Sequence, residues 1–161
     1  MRSIFVESLI SQATICSRDI RGPDVSIITD RAQAALGTRF RRQGRLVGLG
    51  LDCVGLLLHA YGIEPERAPR DYQFNGYRLS SIEAHLRILG FRRISRPSAR
   101  LEDLLIYQVA NTQFHLGLKM NRGIIHADAM VRKVVESMAA EDWCLKRVYR
   151  RRSRGNSAWQ R

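Results

Sequence analysis

Two segments of the chain carry residue types that can do chemistry together. Asp52-Cys53-Val54-Gly55 stands at the head of the apolar run Leu56-Leu57-Leu58, and Phe114-His115-Leu116-Gly117-Leu118 lies far downstream. A thiol attacks as its thiolate, and the partial positive charge at a helix N-terminus favours that form. Cys53, at the start of a helix, is therefore a candidate nucleophile. His115, in an alternating apolar stretch that reads as a strand facing the helix end, is the candidate base. Each residue also has a plain structural reading, since free cysteine is among the most buried residue types and isolated histidines commonly sit satisfied in a core. Their pairing singles them out.

A third group joins them. From Leu116 to Ile125 the chain reads as two short apolar strands about an Asn/Gly turn signal, with His126 on the second strand. A four-residue loop at Lys119 to Arg122 sets His115 directly opposite His126, and a two-residue loop makes them diagonal neighbours on the same face. Either arrangement keeps the rings within roughly 5 to 8 Å in Cβ terms. A three-residue loop with a bulge would turn one ring to the other face. In register, His126 fixes the tautomer of His115 as the third member of a triad does. The alternative for His126 is a half-buried strand histidine.

The elements that must position these groups follow from periodicity and punctuation. Asp24 or Ser26 caps a helix over 27–36 that Gly37 stops. Gly44, Gly48 and Gly50 then make a flexible loop leading to the nucleophile. Asp52 caps a helix from Cys53 to Tyr61 that ends at Gly62, making the Cys53 amide a candidate oxyanion donor. A loop over 64–75 follows, with Pro65 and Pro69; Tyr72, Phe74 and Tyr77 line a groove or anchor that loop. Ser80 or Ser81 starts a helix through Leu89 with Ile82, Leu86 and Leu89 on one face. Strands are expected near 113–120, 123–129 and 131–137, with 143–149 closing the sheet. The fold class is α+β, a nucleophile helix packed on a central antiparallel sheet.

In order and spacing these residues resemble the NlpC/P60 family of papain-like cysteine peptidases. Ala35-Leu36-Gly37-Thr38-Arg39-Phe40 is similar to that family's short helix ending in G-T-P-Y/F. Gln43-Gly44-Arg45 and Leu51 to Leu56 are similar to the segment entering its nucleophile helix, and Leu101 to Tyr107 to its G-D-V-L-L-F turn and strand, with Glu102 in place of glycine. His115-Leu116-Gly117-Leu118 and Ile125-His126-Ala127 resemble its two histidine strands. The branch most resembled is that of phage and gene-transfer-agent tail peptidases, and the similarity runs from about Val25 to Arg150.

The resemblance implies Cys53 as nucleophile, His115 as base and His126 as orienting residue, with Phe40, Gln43 and Asp52 on the substrate-binding side. It implies hydrolysis of an amide in the peptidoglycan stem peptide, next to D-glutamate and a diamino acid, without metal or cofactor. It also implies a protein made in the bacterial cytoplasm, carried on a particle tail with hub or tip proteins as partners, and acting at the cell wall. Arg39 stands in place of the family's proline, Arg42 in place of a histidine of the phage branch, and Phe40 in place of a tyrosine. Those departures motivate an alternative, a structural tail-tip or hub component with the same fold and little activity.

Composition sets the outer bounds. A chain of 161 residues with 45% apolar content fits one domain. Its expected organisation is an N-terminal extension over 1–22, a peptidase-like domain over 23–150 and a basic tail over 151–161. No apolar run reaches the roughly 18 to 20 residues of a membrane span. The start of the chain, interrupted by Glu7 and followed by Arg18-Asp19, makes a poor secretory signal, and carriage on a particle would supply another route to the wall. Cys16, Cys53 and Cys144 suit neither a disulfide framework nor a zinc site. His59 and His85 read as structural or exposed. The net charge is +12, and seven of those charges come from Lys146, Arg147, Arg150, Arg151, Arg152, Arg154 and Arg161. Docking to an acidic hub protein ranks first for this end, then attraction to an anionic envelope. Nucleic-acid contact ranks last, because no aromatic-interleaved or helix-turn-helix pattern accompanies the arginines.

Overall fold

The computed structural model describes residues 26–70, 72 and 78–152. The N-terminal extension, Phe74, Tyr77 and the chain from 153 onward lie outside the described residues.

Helix α1, Ile27–Ala34, begins where the Ser26 hydroxyl accepts from the Ile28 amide at 3.2 Å. A second cap comes from afar, because the Glu102 carboxylate accepts from the Thr29 amide at 2.9 Å and from its hydroxyl at 2.5 Å. The two caps satisfy amide donors that the first turn cannot pair internally. Gly37, at φ +78°, turns the chain out of the helix.

Helix α2, Cys53–Ala60, buries Cys53, Gly55, Leu56, Leu57, Leu58 and Ala60. A helix apolar on nearly every side belongs inside the molecule, and α2 is the central helix. Before it, Arg45–Leu46 (β1) and Gly50–Leu51 (β2) pair as a small antiparallel hairpin where the glycines had suggested a flexible loop. The hairpin's backbone presses on α2. A Cβ built at Gly55 would lie 2.0 Å from the Gly44 carbonyl oxygen.

The main sheet comprises β3 (Phe91–Ile94), β4 (Leu104–Ala110), β5 (Gln113–Lys119), β6 (Ile124–Asp128), β7 (Lys133–Ser137) and β8 (Cys144–Arg151). Its order is β3-β8-β4-β5-β6-β7 and every pair is antiparallel. One face packs Leu116, Leu118, Ile125 and Ala127 against the leucines of α2. The other carries a smaller cluster of Leu105, Tyr107, Ile124 and Val148, with Trp143 and Leu145 laid over it. The expected α+β architecture, a nucleophile helix on an antiparallel sheet, is what the structure shows.

Several expectations need correcting. Helix α3, Leu79–Ile88, takes Ser80 and Ser81 into its first turn, and no side chain caps it. Leu101 to Tyr107 is a turn that leads into a strand, as its resemblance implied, with Glu102 at φ +67°, the Asp103 carboxylate accepting from the Arg100 amide at 2.8 Å, and β4 starting at Leu104. Strand β3 had no alternating apolar signal, since only Phe91 of its four residues is buried. The basic tail begins later than 151. Strand β8 runs through Arg151, whose guanidinium reaches the Tyr61 carbonyl, and the Arg152 amide donates to the Gly90 carbonyl at 3.1 Å. Arg147 pairs with Glu83 and Arg150 with Asp103, each at 2.7 Å, so part of the basic run is built into the domain. No described helix is long and apolar enough to cross a membrane.

Candidate active site

The β-hairpin that carries the two histidines has a two-residue turn at Asn121-Arg122, closed by the Met120 amide on the Gly123 carbonyl at 2.8 Å. Gly117 therefore faces His126 across the ladder, and His115 is the diagonal neighbour of His126 on the same face. His115 Nε2 lies 3.0 Å from His126 Nδ1, and His126 Nε2 lies 3.0 Å from Ser137 Oγ on the next strand. The Ser137 hydroxyl has one proton, and it donates to the Met138 carbonyl at 3.0 Å. Serine must then accept from His126 Nε2–H, so His126 Nδ1 is the acceptor for His115 Nε2–H. This accounting leaves the lone pair of His115 on Nδ1, where a base needs it. Trp143 closes the cluster, with its ring centroid 4.9 Å from that of His115 and 5.2 Å from that of His126.

Cys53 comes to this strand from the other side. It belongs to the core cluster on the α2 face, whereas strand alternation sends His115 and His126 to the face that carries Trp143. The β5–β6 ladder covers only Gly117 to Lys119, so at His115 and Leu116 strand β5 is paired with β4 on one edge and leaves the other edge open. Cys53 meets β5 at this point, beside Leu116, the residue after His115. The structure thus joins the two imidazoles by a hydrogen bond and brings the thiol to the neighbouring residue. The Nδ1 atom of His115 has no hydrogen-bond partner among the described residues.

The expected resting thiolate is corrected by burial. Cys53 is 9% exposed, and its thiol is pushed up to about 12, first by burial and then by the negative charge of Asp52. The amides of Leu116 and Val54, and the charge of Arg45, act in the opposite direction and are outweighed. Burial also drives His115 down to about 3, with the neighbouring His126 adding to the effect, and it lowers His126. Desolvation disfavours whichever form is charged, so the resting pair is a neutral thiol and a neutral imidazole.

Asp52 is expected on the substrate side, but it is fully buried. One carboxylate oxygen accepts from the Gly55 amide at 2.8 Å and from Arg45 Nη1 at 2.9 Å. The other accepts from the Gln43 amide at 2.7 Å and from the Tyr72 hydroxyl. With every lone-pair direction engaged, Asp52 positions the nucleophile helix and cannot touch a substrate. Phe40 is half-buried against the main core cluster and is not among the residues lining the groove beside Cys53. Gln43 is exposed, at φ +56°, with its side-chain amide 3.4 Å from the carbonyl of Tyr72. Of the other histidines, His59 bonds the Arg31 carbonyl and His85 bonds the Ser81 carbonyl within α3.

A groove opens beside Cys53, with a cavity of about 90 Å³ between α2, α3 and β5. Sequence reasoning placed Tyr72 among the groove-lining or anchoring aromatics, and it does both. It missed Ser137, Trp143 and Arg45 as parts of the site. Only Ser137 had a findable signal, because His115, His126 and Ser137 recur at a constant separation of 11 residues along successive strands.

Comparison with solved structures gives the same architecture. RipB, a peptidoglycan hydrolase of Mycobacterium tuberculosis, superposes with a TM-score of 0.54 at 21% identity over 77% of this chain. The P60 domain of an antigen from M. avium subspecies paratuberculosis superposes with a TM-score of 0.51 at 20% identity over 78% of this chain. The fold is that of the NlpC/P60 domains. This chain spans 62% of the RipB chain and 91% of the P60 domain. No family model matches the sequence, and no curated protein matches it. Within the NlpC/P60 fold, the central helix that starts at Cys53 and the hairpin that holds the two histidines are the elements described above.

Proposed function

We propose that this protein is a cysteine hydrolase of the peptidoglycan stem peptide, with Cys53 as nucleophile, His115 as base and His126 as the residue that orients the base. The observation that carries this reading is the chain from His115 through His126 to Ser137, which leaves His115 Nδ1 unprotonated next to the residue that Cys53 meets. It is supported by a fold shared with a peptidoglycan hydrolase.

The chemistry starts from neutral groups. Attack on a carbonyl carbon passes the thiol proton to His115 Nδ1 as the C–S bond forms, and His115 Nε2–H keeps its bond to His126. The Cys53 amide, at the first helical position where no carbonyl of the helix can reach it, is the donor this reading assigns to the developing oxyanion. His115 then gives its proton to the leaving amine, and water releases the acyl group from sulfur. Purified protein should release stem-peptide fragments from peptidoglycan, and Cys53→Ala should abolish release. Fragment release that persists in the variant rejects the assignment.

The particle-borne part of the proposal rests on the similarity of Gln43-Gly44-Arg45 and Leu51 to Leu56 to the phage-type branch, with tail hub or tip proteins as partners. Co-purification with tail particles tests it.

A second reading, an inert tail-tip component, is favoured by the burial of Cys53 and by Arg39, Phe40 and Arg42. The two readings separate on the rate of Cys53 alkylation. A thiol activated by His115 reacts at neutral pH far faster than one at about 12.

A further inference from the structure

The groove beside Cys53 is lined by Val54 and Leu57 of α2, Ile82, His85 and Leu86 of α3, and Phe114 and Leu116 of β5, with Ala68, Pro69, Tyr72 and Leu89 completing it. Among the described residues that line it there is no lysine, arginine, aspartate or glutamate. The polar side chains other than the thiol are already engaged. The Tyr72 hydroxyl donates to Asp52 and accepts from Arg45 at 2.9 Å, and His85 Nδ1 bonds the Ser81 carbonyl at 2.8 Å. Arg45 lies behind this wall, where its guanidinium bonds the Tyr72 hydroxyl, the Pro69 carbonyl and the Asp52 carboxylate, and it is almost fully buried.

A carboxylate seated there would lose its water and find no charged partner among the described lining residues, a loss that outweighs the contacts it makes. An aliphatic group suffers no such loss. The cavity of about 90 Å³ is smaller than the ~150 Å³ apolar cavity that takes benzene, which limits the group to a short aliphatic chain.

Resting on the hydrolase reading, we propose that this groove is a specificity pocket for a short, uncharged aliphatic group next to the bond that Cys53 attacks, and that it excludes an anionic residue. Any charged residue of a stem peptide then lies outside the groove. His85 is the wall position at which charge selection can be changed, because it is half-buried and its ring bonds only its own helix.

The test uses the full chain with Cys16→Ser and Cys144→Ser, so that Cys53 is the one remaining thiol. Two nearly isosteric probes are compared, N-butyl chloroacetamide and 3-(chloroacetamido)propanoate. In each, the sulfur displaces chloride, a C–S bond forms and the thiol proton passes to His115. Intact mass follows the rate. The butyl probe should react with saturation and at least tenfold faster than the anionic probe in kinact/KI. His85→Lys should raise the anionic rate several-fold and narrow that ratio.

Equal rates, or faster reaction of the anionic probe, overturn the pocket. A Cys53 inert to both probes counts against the hydrolase reading, and the pocket is then judged by non-covalent binding. Under that condition 1-butanol, but not butyrate, should shift the amide resonances of Leu57, Leu86 and Leu116. The absence of such shifts, or shifts with butyrate, overturns the pocket as well.

Discussion

His115 Nε2 and His126 Nδ1 are 3.0 Å apart across a diagonal of the β5–β6 hairpin, and the direction of that hydrogen bond is set one strand further away. Ser137, by donating to the Met138 carbonyl, obliges His126 to donate to it, and this fixes both tautomers. Ser137→Ala removes the constraint. His126 can then carry its proton on either nitrogen, and part of the population presents the wrong atom to His115. One hydrogen bond of about 1 to 1.5 kcal/mol is at stake, which corresponds to roughly a tenfold fall in kcat. Long-range 1H–15N imidazole spectra should show one tautomer at each ring in the parent and a mixture at His126 in the variant. Ser137→Thr, which keeps the hydroxyl, should restore the single form.

The charge of Asp52 is the second cause of the raised Cys53 thiol, after burial. Asp52→Asn retains an oxygen to cap the Gly55 amide while removing that charge, and Arg45 remains close by to favour a thiolate. The thiol should therefore titrate lower in the variant, and alkylation measured against pH should become faster at a given pH. Stability moves the other way. Arg45 loses its buried partner, a change that costs on the order of 3 kcal/mol. A variant both more reactive and less stable separates the two roles of Asp52. Unchanged thiol titration would show that the carboxylate acts on the helix alone.

The main features of the site were legible because they obey local rules. Asp52 before an apolar run marks a helix start, and the Asn/Gly turn signal between two apolar segments marks a hairpin. Neither gives the loop length, and with it the register of His115 and His126, which the two-residue turn at Asn121-Arg122 decides. Ionisation was not legible. A helix N-terminus argues for a thiolate, but the packing of Leu57, Phe114 and Leu116 around Cys53 dries the sulfur, and that burial depends on contacts remote in sequence. The role of Asp52 as helix cap was legible, but its absence from the substrate side was not, as its partners Arg45 and Tyr72 come together only in the folded chain. Strand β3 was missed because an edge strand with three exposed or half-buried residues has no alternation to read. Arg151 looked like the start of a tail because nothing in a run of arginines announces the Tyr61 carbonyl as a partner.

Acid should unfold this protein through its histidine pair. Burial holds His115 at about 3 in the folded chain against 6.5 when unfolded, so between those values the unfolded chain binds a proton that the folded chain refuses. Stability is then fully present above about 6.5 and falls as pH drops toward 3, by at most ~1.4 kcal/mol per unit for this one group. His126, shifted in the same direction, steepens the fall. Urea midpoints measured from pH 7.5 to 4 should decline, and His115→Gln should flatten that decline. A profile in which the variant and the parent remain parallel would remove His115 as the cause.

Gly55 is the position at which the site and the fold constrain each other most tightly. Any Cβ there would lie 2.0 Å from the Gly44 carbonyl oxygen, 3.0 Å from its carbon and 3.2 Å from Leu51 Cδ2, and the first two of these are backbone that cannot swing aside. In an open helix Gly→Ala stabilises by roughly 0.5 to 1 kcal/mol. Here overpacking of about 1 to 3 kcal/mol opposes that gain, so Gly55→Ala should lower the urea midpoint with the slope unchanged. The displacement also has a direction. Relief requires the hairpin bearing Gln43 and Arg45 to move off α2, which loosens the Asp52 bonds that set the helix start. Gly48→Ala is the control, because at φ +80° it is strained in backbone but meets no atom within 4 Å. Both variants should be less stable than the parent, but only Gly55→Ala should change the alkylation rate of Cys53. Equal effects on the thiol would mean that the hairpin transmits strain from its tip and that close contact at Gly55 is not what holds the nucleophile in place.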